Sequence, residues 1–239
     1  MKFSFSNEQE EFRSGVRRAL EARSPTTEVR RLILSRFGAA QLAPGTPLYT
    51  EEGGDILKGR RNLDAAKKLL AQSGYAGQPV TCLVAQDQPI TKAQGDVTAD
   101  LLKRLGMNVD FAAIDWGTVG ARRAQKTPPG QGGWGMFHTW HAGADTINPA
   151  PYQAIRGNGD KAWFGWPNVP EVETEVFAWF DAKTLDEEKA AIRRLNKAAL
   201  DNVVYAPTGF FLGYQAWRKN ITGVVKGPLP FFWGVSKSV

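Results

Sequence analysis

The order of apolar and polar residues predicts alternating helices and strands in the middle of the chain. Apolar residues recur every three or four positions in 62–73 and 89–105, a spacing typical of amphipathic helices. Gly106 follows the second segment, and glycine commonly ends a helix because it adopts left-handed backbone angles. Short apolar runs at 80–85 and 109–114 predict strands. Strand, helix and strand in this order predict a right-handed βαβ unit with parallel strands.

The same kind of pattern continues toward the carboxyl end. It predicts a helix over 115–125, a strand over 136–140, helices over 170–182 and 185–201, and β-like runs at 203–217 and 221–225. Together these elements predict an α/β fold with a mixed sheet.

Two segments precede this α/β body. Residues 1–36 predict a short helical segment, because Ser6 and Gln9 form a capping-box pattern and apolar residues then recur every four positions. Residues 37–61 contain Pro44, several glycines and no clear period, which predicts a linker. The body of the fold is therefore expected to begin at residue 62.

Composition narrows the functions that the chain can have. Its 239 residues carry a formal charge of +6 without a run of like charge, so nothing indicates nucleic-acid binding. The single cysteine, Cys82, excludes an internal disulfide and argues against a multi-cysteine metal site. No stretch approaches about 18 consecutive apolar residues, and the first residues lack the apolar core of a signal peptide. We therefore expect neither a membrane span nor a secretory signal in this chain.

Aromatic residues are concentrated in residues 132–166, around a short acidic turn. Each large aromatic side chain left in water forgoes about 1.5–3 kcal/mol of burial free energy, so this stretch needs a cover. One interpretation is the wall of a binding cleft; the alternative is a strand and an ordered loop that pack on their own domain. The candidate ligand-binding residues of the wall are Trp134, Trp140, His141, Asp145, Trp163 and Trp166.

Asp145 has the most specific chemistry of this stretch. It lies in a Gly-Ala-Asp turn after a predicted strand, where a carboxylate can bind a ligand ammonium group through a charge-assisted hydrogen bond. The alternative is a turn aspartate that bonds its own backbone. His138 and His141 do not predict a metal site, since no cysteine or glutamate nearby completes a ligand set. No nucleophile and base can be paired by spacing, which favours binding without covalent chemistry and without a cofactor.

Several motifs, taken in order, give the chain a resemblance to a known family. They are PGTPLY at 44–49, NLDAAKKLLAQSGY at 62–75, LLKRLGMNVD at 101–110 and the W-x-x-x-x-D-x-x-N-P element at 140–149. From about residue 44 to its end, the chain resembles the carboxy-terminal part of the peptide- and nickel-binding (family 5) solute-binding proteins of bacterial ABC transporters. The resemblance implies one lobe of a type II periplasmic-binding fold over 62–202. It also implies carboxy-terminal strands over 203–239 that would return to a missing first lobe.

Function and site follow from the same resemblance. It implies uptake of a peptide-like or other amine-bearing solute, an ABC permease in the membrane as partner, a monomeric state, a periplasmic or otherwise extracytoplasmic location, and no enzymatic activity. In the family, an aspartate of a D-x-x-x-P element holds the amino group of the ligand, and Asp145 with Pro149 matches that element. The chain departs from the pattern by inserting Ala142, Gly143 and Ala144 before the aspartate.

The beginning of the chain suggests a different relative. The first 32 residues resemble the amino terminus of acyl-CoA dehydrogenases, which gives the alternative of a flavin-enzyme fragment fused to an unrelated lobe. The flavin-binding domain and catalytic glutamate of that enzyme have no counterpart in the sequence. A third alternative is a scaffold without a ligand, whose aromatic residues merely pack together.

A missing first lobe would have two consequences. Phe210, Phe211 and Trp233 should be exposed, because the other lobe would normally cover them. Ligand binding by the isolated chain should be weak or absent, since the affinity of a two-lobed binding protein comes from both walls of its cleft.

Overall fold

The computed structural model describes residues 42–57, 62–211, 216–225 and 231–238, so the helices predicted within 1–36 lie outside the described residues. The helices are α1 (Leu63–Gln72), α2 (Pro89–Leu105), α3 (Trp116–Arg122), α4 (Pro170–Asp181) and α5 (Leu185–Asp201). The strands are β1 (Val80–Ala85), β2 (Val109–Ile114), β3 (Met136–Phe137), β4 (Ile221–Thr222) and β5 (Ser236–Lys237). None of the described helices combines the length and apolarity that a membrane crossing requires.

β1 is the central strand of a parallel sheet with the order β2-β1-β3. Cys82 lies opposite Phe111 on one side and opposite Met136 on the other. All residues of β1 after Val80 are buried, as expected for a strand with neighbours on both sides. The predicted α/β class and the parallel pairing of the βαβ unit are therefore confirmed. β4 and β5 pair antiparallel in a separate sheet, so the described strands form two sheets rather than one mixed sheet.

Local signals in the sequence explain where several helices begin and end. At α1, the Oδ1 atom of Asn62 accepts a hydrogen bond from the N–H of Ala65 at 2.9 Å. At α5, Thr184 and Glu187 form a capping box, in which each side chain bonds the backbone of the other. α2 ends at Gly106, whose φ of 95° is left-handed. The predicted bounds of these three helices hold to within one residue because such caps depend on neighbours in sequence.

α4 and α5 hold the larger apolar core. Val172 and Val176 of α4 meet Ile192 and Leu195 of α5, and all four side chains are fully buried. The burial of four branched aliphatic side chains, at about 1.5–3 kcal/mol each, makes this helix pair a main source of stability.

Residues 42–57 belong to this core although they lie within the predicted linker. Leu42 and Leu48 are buried against the helix pair. The buried Nδ2 atom of Asn196 on α5 donates a hydrogen bond to the carbonyl oxygen of Glu52 at 2.6 Å. The segment is largely irregular, as predicted, but it is packed as an integral part of the structure.

Four predicted elements are shorter than expected or absent, and one of them is the run at 221–225, of which β4 covers only Ile221–Thr222. β3 ends at Phe137 instead of residue 140, because only two residues of β1 pair with it. α3 ends at Arg122, well before residue 125. No strand lies in the described part of 203–217. There Val204 and Tyr205 pack against the α4–α5 core, so apolar residues that suggested a strand are partly buried without one.

The aromatic side chains near the carboxyl end are largely in contact with solvent. Trp233 is 81% exposed and Phe211 is 39% exposed, and exposure was expected for both side chains. Phe210, for which exposure was also expected, is half-buried. Phe232 adds a further side chain with 78% exposure.

The contact between α2 and β1 at Gly95 gives a test of this packing. A Cβ atom at this position would lie 2.6 Å from Cγ1 and 2.8 Å from Cγ2 of the buried Val84. We expect Gly95→Ala to lower the free energy of unfolding by about 1–2 kcal/mol, because overpacking outweighs the gain in helix propensity. Chemical denaturation followed by circular dichroism measures this change.

Gly120→Ala is the matched control, since a Cβ there meets nothing within 4 Å and the residue also lies inside a helix. It should be neutral or stabilise by up to about 1 kcal/mol. Equal effects of the two substitutions would show that α2 does not pack on β1 at this distance.

Candidate functional site

The carboxyl ends of β1 and β3 are the place where the topology predicts a ligand. From β1 the chain crosses to β2 on one side, and from β2 it continues to β3 on the other side. In open α/β sheets, such a reversal leaves a crevice outside the carboxyl ends of the two strands, and ligands bind there. The candidate residues Trp140 to Asp145 lie on the segment that leaves β3.

Asp145 lies on a single 3-10 turn, Gly143–Thr146, that is held in place from both sides. Its own N–H donates to the carbonyl oxygen of Ala142 at 2.9 Å. The N–H of Ala43 donates to the carbonyl oxygen of Thr146, also at 2.9 Å, and Thr146 is buried. The inserted residues before Asp145 are therefore the start of an ordered turn.

The Asp145 carboxylate is exposed and has no hydrogen bond or ion pair with any described residue. The side chain that bonds the backbone within this turn is Thr146, whose Oγ1 donates to the carbonyl oxygen of Gly143 at 3.3 Å. The alternative of a turn aspartate that bonds its own backbone is therefore not what the structure shows. No described residue therefore occupies the carboxylate, which can accept a donor from solution.

His141 lies between the aromatic residues and the charged groups of the site. Its ring centroid is 5.2 Å from that of Tyr152 and 5.4 Å from that of Trp163. The pKa of His141 is lowered, mainly by burial; the charge of Asp145 opposes this effect and the Arg123 guanidinium adds to it. Burial thus disfavours the charged form of the imidazole beside Asp145.

Three of the predicted tryptophans belong to one half-buried group of rings, which we call the aromatic cluster: Trp134, Phe137, Trp163, Phe164 and Trp166. The Phe137 centroid lies 5.0 Å from Trp134 and 5.6 Å from Trp163. Trp134 and Phe137 pack on the apolar cluster of the sheet, and Trp163 packs on the α4–α5 core. The structure thus brings these tryptophans together as the joint between two cores.

Trp140 is not part of the aromatic cluster. Its ring meets that of Phe211 edge to face, with 6.0 Å between centroids, and half of its surface is exposed. Trp140 and Asp145 are the exposed members of the six predicted site residues; the other four are half-buried.

Arg123 is a candidate that the sequence did not single out. Its guanidinium carbon lies 4.4 Å from the ring centroid of Phe164. Three further centroids lie at 5.3 Å (Trp116), 5.6 Å (Trp163) and 5.8 Å (Phe137). Cations within about 6 Å of an aromatic face are attracted to it. No sequence signal separates Arg123 from the adjacent Arg122, because only the packing of distant segments places rings around one of them.

The described residues contain no group of three or more histidine, cysteine, aspartate or glutamate side chains suited to a metal ion. The two histidines of the H-x-x-H pattern lie in different surroundings. His138 has a buried Nε2 atom without a hydrogen-bond partner, and burial lowers its pKa. His141 instead contacts aromatic rings.

An ion pair holds the segment after the site against α4. Nε of Arg156 lies 2.9 Å from Oε1 of Glu173, and Nη2 lies 2.5 Å from Oε2. The N–H of Gly157 also donates to Oε1 at 2.8 Å. The hydrogen bonds from Arg156 are the main cause that lowers the pKa of Glu173 below its usual value. Both side chains are mostly buried, so the pair is more than a surface contact.

Residues 4–162 match the family described as bacterial extracellular solute-binding proteins, family 5 Middle. The match begins well before residue 44, where the resemblance seen in the sequence began. It includes most of the first 32 residues, and nothing among these similarities supports an acyl-CoA dehydrogenase fragment.

A curated relative is similar over most of the chain. The probable peptide ABC transporter periplasmic-binding protein y4tO of Sinorhizobium fredii is 34% identical over 208 residues, which cover 86% of this chain. These residues are 38% of the relative's own length. The chain therefore spans well under half of the relative that it matches.

Solved structures with the same fold include two peptide complexes. The oligopeptide-binding protein AppA of Bacillus subtilis, in complex with a nonapeptide, superposes with a TM-score of 0.70 at 14% identity, over 89% of this chain and 45% of that one. The dipeptide binding protein of Pseudoalteromonas sp. SM9913, in complex with Met-Leu, superposes with a TM-score of 0.63 at 16% identity. The superposition covers 89% of this chain and 43% of that one. The fold of the chain is thus the type II periplasmic-binding fold, as predicted.

The ion pair between Arg156 and Glu173 predicts how stability depends on pH. We expect Glu173→Gln to lower the free energy of unfolding by about 2 kcal/mol at pH 7, because it removes the charge from hydrogen bonds to a mostly buried guanidinium. The folded state lowers the pKa of Glu173, so the contribution of the pair is complete above the ordinary carboxyl range. It is lost as pH falls through the lowered value. Denaturation of both proteins between pH 7 and pH ~3 should therefore show their difference shrinking.

Glu175→Gln is the control, since Glu175 pairs with the more exposed Arg194. Glu175→Gln should lower the free energy of unfolding less than Glu173→Gln does at neutral pH. A difference between wild type and Glu173→Gln that is constant over this pH range would contradict the assignment.

Proposed function

Because the chain belongs to the bacterial extracellular solute-binding proteins of family 5, we propose that it serves solute uptake by an ABC transporter. In this proposal residues 62–202 form one lobe of the binding protein, and residues 203–239 lead back toward the other lobe. The chain corresponds to 38% of its curated relative. The second wall of the cleft would accordingly belong to the part of such proteins that this chain does not cover.

The observation that carries the proposal is the free carboxylate of Asp145. It is exposed, it lacks a partner within the described chain, and its turn leaves the strand at the topological switch point of the sheet. A carboxylate that accepts a hydrogen bond from an ammonium group gains about twice the energy of a neutral bond. We therefore assign Asp145 the role of binding the amino group of the solute.

The other predicted residues would support this contact in two ways. Trp140 exposes half of its ring beside the same segment, so it is the aromatic residue best suited to touch the solute. Trp134, Trp163, Trp166 and His141 are half-buried in contacts with one another and with the two cores, and they would form the rigid backing of the wall.

The solute class is peptide-like or otherwise amine-bearing. Two proteins of the same fold hold peptides in their structures, a nonapeptide and Met-Leu, and a peptide with a free amino terminus carries the ammonium group that Asp145 would bind. The full binding protein would deliver the solute to a membrane permease and would work as a monomer outside the cytoplasmic membrane. It would bind without changing the solute covalently.

An NMR titration of the chain with the dipeptide Met-Leu tests the role of Asp145. We expect weak binding, with a dissociation constant above the micromolar range, because in this proposal the chain covers one of the two walls that bind the solute. Asp145→Asn should weaken it about ten- to a hundredfold further, the equivalent of a lost charge-assisted hydrogen bond of about 1.5–3 kcal/mol. N-acetylated Met-Leu, which has no ammonium group, should bind wild type as poorly as Met-Leu binds the variant.

Asp64→Asn is the matched control, because it removes an exposed carboxylate from α1. It should leave the titration unchanged. Unaltered Met-Leu binding in Asp145→Asn would contradict the anchoring role. Micromolar or tighter binding by the wild-type chain would contradict the need for a second wall.

A further inference from the structure

The aromatic cluster surrounds a cation that belongs to the chain itself. The guanidinium carbon of Arg123 lies within 6 Å of four ring centroids, those of Trp116, Phe137, Trp163 and Phe164. A ring face attracts a cation through its negative quadrupole, and several faces around one cation form the kind of cage that proteins use to bind quaternary ammonium groups. Here the cage is already filled.

No carboxylate among the described residues neutralises this charge. Arg123 forms no ion pair with them, and its buried Nε atom has no hydrogen-bond partner there. Burial accordingly lowers the pKa of the guanidinium, although arginine remains charged in proteins. Arg123 is half-buried, and among the described residues the ring faces are the groups that attract its charge.

The backbone around Arg123 is held by the same cluster. Its N–H donates to the carbonyl oxygen of Val119 at 2.9 Å, as the cap of α3. Its carbonyl oxygen accepts a hydrogen bond from Nε1 of Trp134 at 3.0 Å. The neighbouring Arg122 points to a different partner, since its Nη2 donates to the carbonyl oxygen of Gly133 at 3.1 Å. The two arginines thus have different partners. The backbone of Arg123 is held by hydrogen bonds at both its N–H and its carbonyl oxygen.

We propose that the rings of Trp116, Phe137, Trp163 and Phe164 form a cation-binding cage that the chain occupies with Arg123, so that ammonium groups from solution are excluded from these rings. The consequence for solute specificity rests on the proposed function. The ammonium group of a solute is excluded from the rings and binds the carboxylate of Asp145, which has no partner in the described part of the chain. A second cation reinforces the exclusion, because Nζ of Lys126 lies 4.8 Å from the ring centroid of Trp166.

Tetramethylammonium chloride is a direct probe of the cage, because this ion has no hydrogen-bond donor and binds aromatic faces. Arg123→Ala removes the internal cation and leaves the rings. We expect a saturable change in tryptophan fluorescence and in the indole NMR signals of the variant, with at least about fivefold tighter binding than in wild type. Sodium chloride at equal ionic strength should not produce the change. An equal response of wild type and variant would overturn the proposal.

Arg104→Ala is the matched control, since it removes an exposed arginine from α2 and should respond to the probe as wild type does. The near-ultraviolet circular dichroism spectrum shows whether Arg123→Ala keeps its tertiary structure. A variant with the wild-type spectrum and no response to tetramethylammonium would also overturn the proposal.

If Arg123→Ala does not keep the near-ultraviolet circular dichroism spectrum of wild type, a second pair of variants tests the proposed cage. Arg123→Lys keeps a cation among the rings, whereas Arg123→Met fills the space without charge. The proposal predicts melting temperatures in the order arginine, lysine, methionine; a methionine variant as stable as the lysine variant would overturn it. These measurements use neither a peptide nor Asp145, so their outcome is independent of the solute-binding experiment.

Discussion

The two apolar cores of this chain meet through aromatic rings, and the rest of the structure depends on that contact. Phe137 belongs to the sheet and Trp163 to the helix-pair side, and their centroids lie 5.6 Å apart. Rigid rings that pack at this distance fix the position of one core relative to the other. The segment between these two rings carries Trp140 and Asp145. The joint that holds the cores together therefore also positions the proposed binding residues.

Electrostatics divides this region into an inner and an outer part. The inner rings are in contact with Arg123 and Lys126, so positive charge is already bound there. The outer part contains the carboxylate of Asp145, which has no partner among the described residues, beside His141, whose charged form is disfavoured by burial. Because the cations of the chain lie at the inner rings, a cationic group of the solute is favoured at the Asp145 carboxylate. This separation also explains how an aromatic-rich stretch serves both packing and the proposed recognition of a solute.

Local signals in the sequence were sufficient for much of the fold. The bounds of β1, β2, α2 and α5 follow from hydrophobic period and from caps such as Thr184 and Gly106, and each depends on residues close in sequence. The length of β3 could not be predicted in this way, because a strand ends where its partner stops pairing. The packing of Leu42 and the absence of a strand in the described part of 203–217 are likewise decided by distant surfaces.

By itself, the sequence determined the α/β class, the parallel βαβ unit and the choice of Asp145 as the chemically distinctive residue, since period, caps and a turn after a strand are local properties. Tertiary structure decided which aromatic residues are exposed and which pack between the two cores. It also decided that Arg123 fills the aromatic cage while Asp145 has no partner among the described residues. The physical reason is that burial and charge pairing are properties of surfaces brought together from segments far apart in the chain, and no spacing along the sequence records them.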